Sequence, residues 1–137
     1  DPRKKTLWIG KTCAVQDVQA YTVRDMEKPF RDTKTGLLPP KLAQMMLNFG
    51  LSLQNESVPE KITIWDPFCG SGVIALEALL RRMHVLASDK SERAVKGAQT
   101  NVQWLRSKEK TPKAITSSVW KHNALKPTKI EKLHHSS

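Results

Sequence analysis

The stretch ITIWDPFCGSGVIALEALL, residues 62–80, constrains the fold of this chain more than any other part of the sequence. A short β-branched and apolar run meets an acid, a proline and two closely spaced glycines, and an apolar helical pattern follows. Glycines at such a corner let the backbone turn sharply and bring its N–H groups close to a ligand. We therefore predict a buried strand, a glycine corner and a helix that together hold something small and polar.

Strand and helix patterns then alternate along the chain. HVLASD predicts a second strand, SERAVKGAQTNVQWL a second helix with Ser91 as its N-cap, and AITSSVW a third strand. Short strand–helix–strand units imply right-handed crossovers and a parallel sheet. The predicted fold class is α/β, a Rossmann-like arrangement of three parallel strands with flanking helices. The helical positions predicted to face the core are Ile74, Ala75, Ala78, Leu79, Ala94, Val95, Ala98, Val102 and Leu105.

A lead-in segment precedes the first strand. Its first part, LWIGKTCAVQDVQAY, has a short apolar stretch that predicts a strand, and a helical pattern follows around Val18. A basic stretch rich in helix breakers comes next, and a helix KLAQMMLNFGLSL begins after Pro39-Pro40. The predicted inward face of this helix comprises Leu42, Met45, Met46, Phe49 and Leu53. We expect one domain over 1–137, divided into a lead-in over 1–60, a cofactor-binding βαβαβ unit over 61–127 and a tail over 128–137.

Composition and charge limit the classes of partner that we expect for this chain. The 137 residues carry a formal net charge of +10, which favours a polyanion such as RNA, although a lysine-rich surface without such a partner has the same charge. No apolar run is long enough to span a bilayer, so no membrane partner is expected. The two cysteines have neither the spacing of a metal site nor that of a disulfide framework, which favours a reducing, cytoplasmic setting.

Polar residues follow all three predicted strands: residues 66–72, Asp89, and His122 with Asn123. Ligands of doubly wound sheets bind beyond the carboxyl ends of the strands. Asp89 is placed to accept hydrogen bonds from both hydroxyls of a ribose. Residues 70–75 also satisfy the loose G-x-G-x-x-G/A dinucleotide pattern, but the Asp66 carboxylate would repel a pyrophosphate. A ligand with a positively charged methionine part, S-adenosylmethionine, suits this corner better.

At this point the residues resemble a known family. The seven residues Asp66, Pro67, Phe68, Cys69, Gly70, Ser71 and Gly72 look like the first motif of S-adenosylmethionine-dependent methyltransferases that modify RNA and DNA amines. The upstream element, in which Gly36, Leu38, Pro40, Lys41, Leu42 and Ala43 match, is similar to the segment before that motif in the putative RNA methylase family. That family includes THUMP-linked tRNA guanine-N2 methyltransferases.

The resemblance implies roles for single residues. The motif residues, with Leu38 and Pro40, would line the methionine and ribose side of the cofactor. Asp89 would hold the ribose, Lys90 would lie beside the adenine, and Asn123 with Ala124 would read its amino group where the family usually has Asp-Ala. The substrate class it implies is RNA, with tRNA first. The basic residues near the expected cofactor mouth, candidates for RNA contact, are Arg24, Lys28, Arg31 and Lys34.

The catalytic motif that the resemblance leads us to expect, of the N/D-P-P-Y type after a fourth strand, does not occur in these 137 residues. No catalytic residue is therefore assigned, and the expectation is a cofactor-binding part of an RNA methyltransferase that is inactive alone. A second chain, or a C-terminal half, would complete the sheet beside the first strand. The alternatives are a non-catalytic assembly module, a fragment of a DNA adenine-N6 methyltransferase and, last, a dinucleotide-dependent oxidoreductase.

Overall fold

The structure, a computed structural model, describes residues 7–33, 36–109 and 112–126. Four α-helices, a short 3-10 turn and three strands follow one another along these segments. In chain order they are α1 (Val18–Met26), α2 (Pro40–Ser52), the 3-10 turn (Pro59–Lys61), β1 (Thr63–Asp66), α3 (Val73–Leu80), β2 (His84–Asp89), α4 (Glu92–Lys108) and β3 (Ser117–Lys121). The strand predicted at the start of the lead-in is wrong: residues 7–17 form neither helix nor strand and are exposed, with no neighbouring strand in the described segments to pair with. Among the described residues no helix is both long and apolar enough to cross a bilayer.

The three strands form one parallel sheet in the order β1-β2-β3. The register pairs Asp66 with Ala87 and Asp89 with Lys121, so the strands end at the same edge of the sheet. This is one βαβαβ half of a Rossmann-like fold, and the predicted fold class is confirmed. Within the described residues β1 has a neighbour on one side only, which leaves its other edge open.

Helix α3 forms the centre of the core. Six of its eight residues are buried, and it packs against both β1 and β2 as well as α2 and α4. Ser91 caps α4 as predicted, accepting a hydrogen bond from the Ala94 N–H. The predicted inward positions are buried, except Ile74 and Ala94, which are half-buried. The local hydrophobic period therefore predicted both helices of the βαβαβ unit correctly.

The predicted inward face of α2 is wrong. The buried residues are Pro40, Ala43 and Leu47, one turn apart, and they pack against α3. Phe49 and Leu53 are 71% and 86% exposed. Both faces of this helix are apolar, so periodicity could not select between them, and the small Ala43 side chain lets α2 approach α3 closely. The five residues predicted inward form an exposed apolar face instead: Leu42, Met45, Met46, Phe49 and Leu53.

Helix α1 has no buried residue and is held by a polar network. Glu77, on the otherwise apolar α3, is 1% exposed. Its carboxylate accepts a hydrogen bond from Arg24 Nε (2.8 Å) and one from Gln44 Nε2 (2.6 Å), and Gln44 in turn accepts one from the Tyr21 hydroxyl. A buried carboxylate needs such partners, so this network joins α1, α2 and α3.

Two of the basic residues considered for RNA contact are therefore structural. Arg24 is the cation of the buried Glu77 pair. The Lys28 side chain is fully buried, and its Nζ lies 3.2 Å from Asp25 Oδ1. Neither side chain is available to a phosphate in this arrangement. Of the other two, Arg31 is exposed, and Lys34 lies outside the described residues.

Candidate functional site

Two carboxylates lie at adjacent strand ends of the sheet. Asp66 ends β1 and is 8% exposed, with its Oδ1 accepting a hydrogen bond from the Phe68 N–H at 3.1 Å. Asp89 ends β2, and its two oxygens accept from the N–H groups of Gly70 (3.1 Å) and Ser91 (2.8 Å). A carboxylate offers about four acceptor positions, so Asp89 keeps capacity for a ligand while it holds the glycine corner to β2.

The corner itself depends on two glycines with positive φ angles, 50° at Gly70 and 81° at Gly72. Side chains are strained in this region, and space at Gly72 is tight, because a Cβ there would lie 3.1 Å from Cβ of Ala98. The Cys69 N–H donates to the Ser88 carbonyl at 2.9 Å. These contacts set the corner against β2 and α4 and turn it into the start of α3.

A cleft of about 640 Å³ opens beyond these strand ends. One wall is the glycine corner, another is the start of α4, and a third is the lead-in segment before α2. Sequence-predicted residues that line the cleft are Leu38, Asp66, Phe68, Cys69, Gly70, Ser71, Asp89 and Lys90. The structure thus brings together residues from three separate stretches of the chain.

Other predicted site residues do not line this cleft. Pro67 and Gly72 belong to the corner, and Pro40 is buried at the start of α2. Asn123 and Ala124 follow β3, and the Asn123 side chain accepts a hydrogen bond from the Leu125 N–H at 3.1 Å. His122 does not line the cleft either, and its backbone N–H donates to the backbone carbonyl of Asp89 at 2.9 Å. The Asn123 side chain, which was expected to bind the amino group of the adenine, therefore caps its own turn in this structure.

The cleft contains residues that the sequence analysis missed. Asp32 adds a third carboxylate to the lining, with Arg93 Nη2 at 3.8 Å from its Oδ1. Phe30 lines the same wall and lies against α4. Both belong to the mixed-charge stretch RDMEKPFRD, which has no periodicity that could have placed them. The one feature of the sequence that could have indicated a role for this stretch is an aromatic residue, Phe30, within a polar loop.

Burial and charge perturb two groups of the cleft. Burial raises the pKa of Asp66 above its ordinary 3.8; the hydrogen bond from Phe68 opposes this rise, and the nearby Asp89 carboxylate adds to it. Burial, with the charges of Asp66 and Asp89, raises the pKa of the Cys69 thiol to about 12. Cys69 is therefore protonated at neutral pH, which argues against a thiolate nucleophile.

We expect Asp66→Asn to raise the free energy of unfolding at neutral pH. A raised folded-state pKa means that the folded protein bears the cost of an ionised carboxylate above that pKa. The cost disappears as the pH falls through the folded-state pKa towards 3.8, so the advantage of the variant should vanish over the same interval. Urea unfolding of both proteins at neutral and acidic pH measures this, and an advantage independent of pH would contradict it.

Comparisons with known proteins agree with this geometry. Residues 46–132, well over half of the chain, match the profile of a family described as "Conserved hypothetical protein 95". The chain is also 38% identical over 68 residues to a protein named tRNA (guanine(10)-N2)-dimethyltransferase from Methanothermobacter thermautotrophicus strain Delta H. This match covers 50% of the chain and only 18% of the relative's own length.

Proposed function

Because the chain belongs to the family described as conserved hypothetical protein 95, a methyltransferase family, we propose that it binds S-adenosylmethionine in the cleft beyond β1 and β2. It would serve as the cofactor-binding part of an RNA methyltransferase whose acceptor is a guanine amine of tRNA. The motifs at residues 36–43 and 66–72 resemble those of the THUMP-linked type.

One observation carries the proposal: three carboxylates line one cleft of a chain whose net charge is +10. Asp32, Asp66 and Asp89 line a common space and outnumber the one lysine among its described lining residues, Lys90, although the chain as a whole is basic. Asp32 is also 3.8 Å from Arg93 Nη2, so Asp66 and Asp89 contribute most to this charge. Acids gathered against the overall charge favour a cationic ligand. S-adenosylmethionine carries an ammonium and a sulfonium, whereas the pyrophosphate of a dinucleotide would be repelled.

Each wall has a part in this proposal. Asp66 provides a negative charge at the end of β1, and Gly70 lets the backbone approach the ligand. Asp89 would accept hydrogen bonds from the ribose hydroxyls, and Lys90, which lines the same cleft, would lie beside the adenine as the resemblance implies. Leu38, in the lead-in wall, covers the methionine side. When bound, the cofactor supplies an electrophilic methyl group, and the residues of this chain bind and orient it.

RNA as the acceptor is supported by the name of the tRNA-modifying relative and by the basic charge. Of the four basic residues considered for RNA contact, Arg31 is described and has an exposed side chain for this purpose. We further propose that another segment, from a second chain or a longer form of this one, pairs with the open edge of β1. The exposed apolar face of α2 and the 41% exposed Trp65 on β1 are the surfaces that it would cover.

Titration calorimetry tests the cofactor assignment. The protein should bind S-adenosylmethionine and give no binding heat with NAD. Asp66→Asn should weaken S-adenosylmethionine binding by about 1.5 kcal/mol or more, since a charged acceptor is lost. That variant is expected to be the more stable protein, so its weaker binding would not be explained by unfolding. Binding of NAD in preference to S-adenosylmethionine would contradict the proposal.

The second candidate is a module that binds the cofactor without transferring its methyl group. It is favoured by the absence of an N/D-P-P-Y motif from the 137 residues. Under either reading the chain alone leaves tRNA unmodified, and methyl incorporation by the isolated chain would contradict both. A DNA adenine-N6 methyltransferase origin is less well supported, because the relative that matches is named for a tRNA activity.

A further inference from the structure

Asn101 lies in the middle of α4 and is completely buried, although it is polar. Its side chain uses every hydrogen-bonding group it has. The Oδ1 atom accepts a hydrogen bond from the Phe30 N–H at 2.9 Å, and Nδ2 donates to the carbonyls of Phe30 (2.9 Å) and Ser71 (2.8 Å). An amide offers two donors, and both are used. One side chain thus joins two segments that are distant in sequence.

Gly97, one turn earlier on α4, receives the ring of the same phenylalanine. A Cβ at Gly97 would lie 2.1 Å from Cδ1 and 2.3 Å from Cε1 of Phe30. Any side chain at position 97 would have to displace the Phe30 ring, which explains a glycine at a helix position where it otherwise lowers stability. The Arg93 guanidinium, 5.9 Å from the ring centroid, lies over Phe30.

Both segments that Asn101 joins are walls of the cleft. Phe30 lines it from the lead-in side, and Ser71 lines it from the glycine corner. Gly72 of the same corner lies against Ala98, between the two α4 positions. One face of α4, made of Gly97, Ala98 and Asn101, therefore supports both walls and sets the distance between them.

We propose that Gly97 and Asn101 form a socket for Phe30 that positions the lead-in wall for cofactor binding. This inference rests on the proposed S-adenosylmethionine site. Asn101 does not line the cleft and acts through Phe30 and Ser71, so it is a positioning residue. The socket keeps the lead-in wall at a fixed distance from the glycine corner, so the cofactor does not have to order that segment when it binds.

The test compares S-adenosylmethionine affinity with stability in three variants. Asn101→Leu removes all three hydrogen bonds at similar volume, and Gly97→Ala places a methyl group against the Phe30 ring. Leu105→Ala is the matched control: Leu105 is 2% exposed on the same helix and does not line the cleft. We expect about tenfold weaker binding in the first two variants, a loss of about 1.4 kcal/mol, and less than about twofold in the control. The control should nevertheless show at least as large a drop in Tm.

A double-mutant cycle separates the socket from general destabilisation. Once Phe30→Ala has removed the ring, Gly97→Ala should change affinity by less than about twofold, because the clash no longer exists. Affinity that falls in step with Tm in every variant, Leu105→Ala included, would overturn the inference. So would an undiminished effect of Gly97→Ala without the ring.

Amide hydrogen exchange at Phe30 keeps the two proposals distinguishable. In the unliganded protein this N–H is bonded to Asn101, and Asn101→Leu should accelerate its exchange markedly while Leu105→Ala should not. Absence of S-adenosylmethionine binding in the unaltered protein would refute the proposed function and the positioning role with it. Unchanged exchange at Phe30 in Asn101→Leu would refute the socket alone.

Discussion

Arg24→Leu is expected to lower the free energy of unfolding by about 3 kcal/mol, because it leaves a buried carboxylate without its cation. Glu77 is 1% exposed, and the Arg24 side chain is 15% exposed. Without Arg24, the Gln44 amide is the one side chain among the described residues that still donates to the carboxylate. Since α1 has no buried residue of its own, it should also lose much of its attachment to α2 and α3.

Urea unfolding measures the stability, and amide exchange over residues 18–26 measures the attachment of α1. The double variant Arg24→Leu with Glu77→Leu is the control, because an apolar pair of this kind often restores the stability lost by breaking a buried ion pair. The single variant should therefore be less stable than the double. A loss below about 1 kcal/mol, with unchanged exchange in α1, would mean that the pair is not important for holding this helix.

Asp89→Ala should weaken S-adenosylmethionine binding by about 1.5–3 kcal/mol through the loss of charge-assisted hydrogen bonds to the ribose. The structure gives a second reason for weaker binding in this variant. The two oxygens of Asp89 hold the N–H groups of Gly70 and Ser91, so the variant also releases the glycine corner from β2. We therefore expect the upper part of that range.

The variant Asp89→Asn separates the loss of the hydrogen bonds to the ribose from the release of the glycine corner. It removes the charge but keeps one side-chain oxygen as an acceptor for the corner, so it should lose less affinity than Asp89→Ala. Glu60→Ala is the charge-matched control, because Glu60 is exposed and lies just before β1, at the opposite end of the sheet. Calorimetric titration of the three variants measures the differences. Affinity of Asp89→Ala equal to that of Glu60→Ala would refute the ribose assignment.

The βαβαβ unit was predictable because its signals are local. β-Branched runs, the 3.6-residue period of α3 and α4, the Ser91 cap and the glycine corner each depend on a few neighbouring residues. Parallel topology then puts every strand end at one edge of the sheet. For this reason the sequence alone predicts that Asp66 and Asp89 lie at one edge of the sheet.

The α2 face could not be predicted in the same way. An apolar helix with two candidate faces is oriented by the neighbour that it meets, and α3 meets the side with Ala43 and Leu47. Arg24 and Lys28 were candidates for RNA contact because both are basic and were expected near the cofactor mouth, within a stretch whose mixed charges also allowed ion pairs. Their burial follows from partners, Glu77 in one case and Asp25 in the other, whose proximity depends on how the helices pack.

The sequence alone therefore determined the order of strands and helices, the glycine corner and the acids at the strand ends, because each is specified by a short local pattern. Only the tertiary structure decided which charges are buried, which face of α2 is exposed, and that Asp32 and Phe30 belong to the cleft. It also decided that Asn101 joins Phe30 and Ser71, which lie 71 and 30 residues away along the chain. Burial and long-range contacts are properties of packed elements, and no short stretch of sequence specifies them.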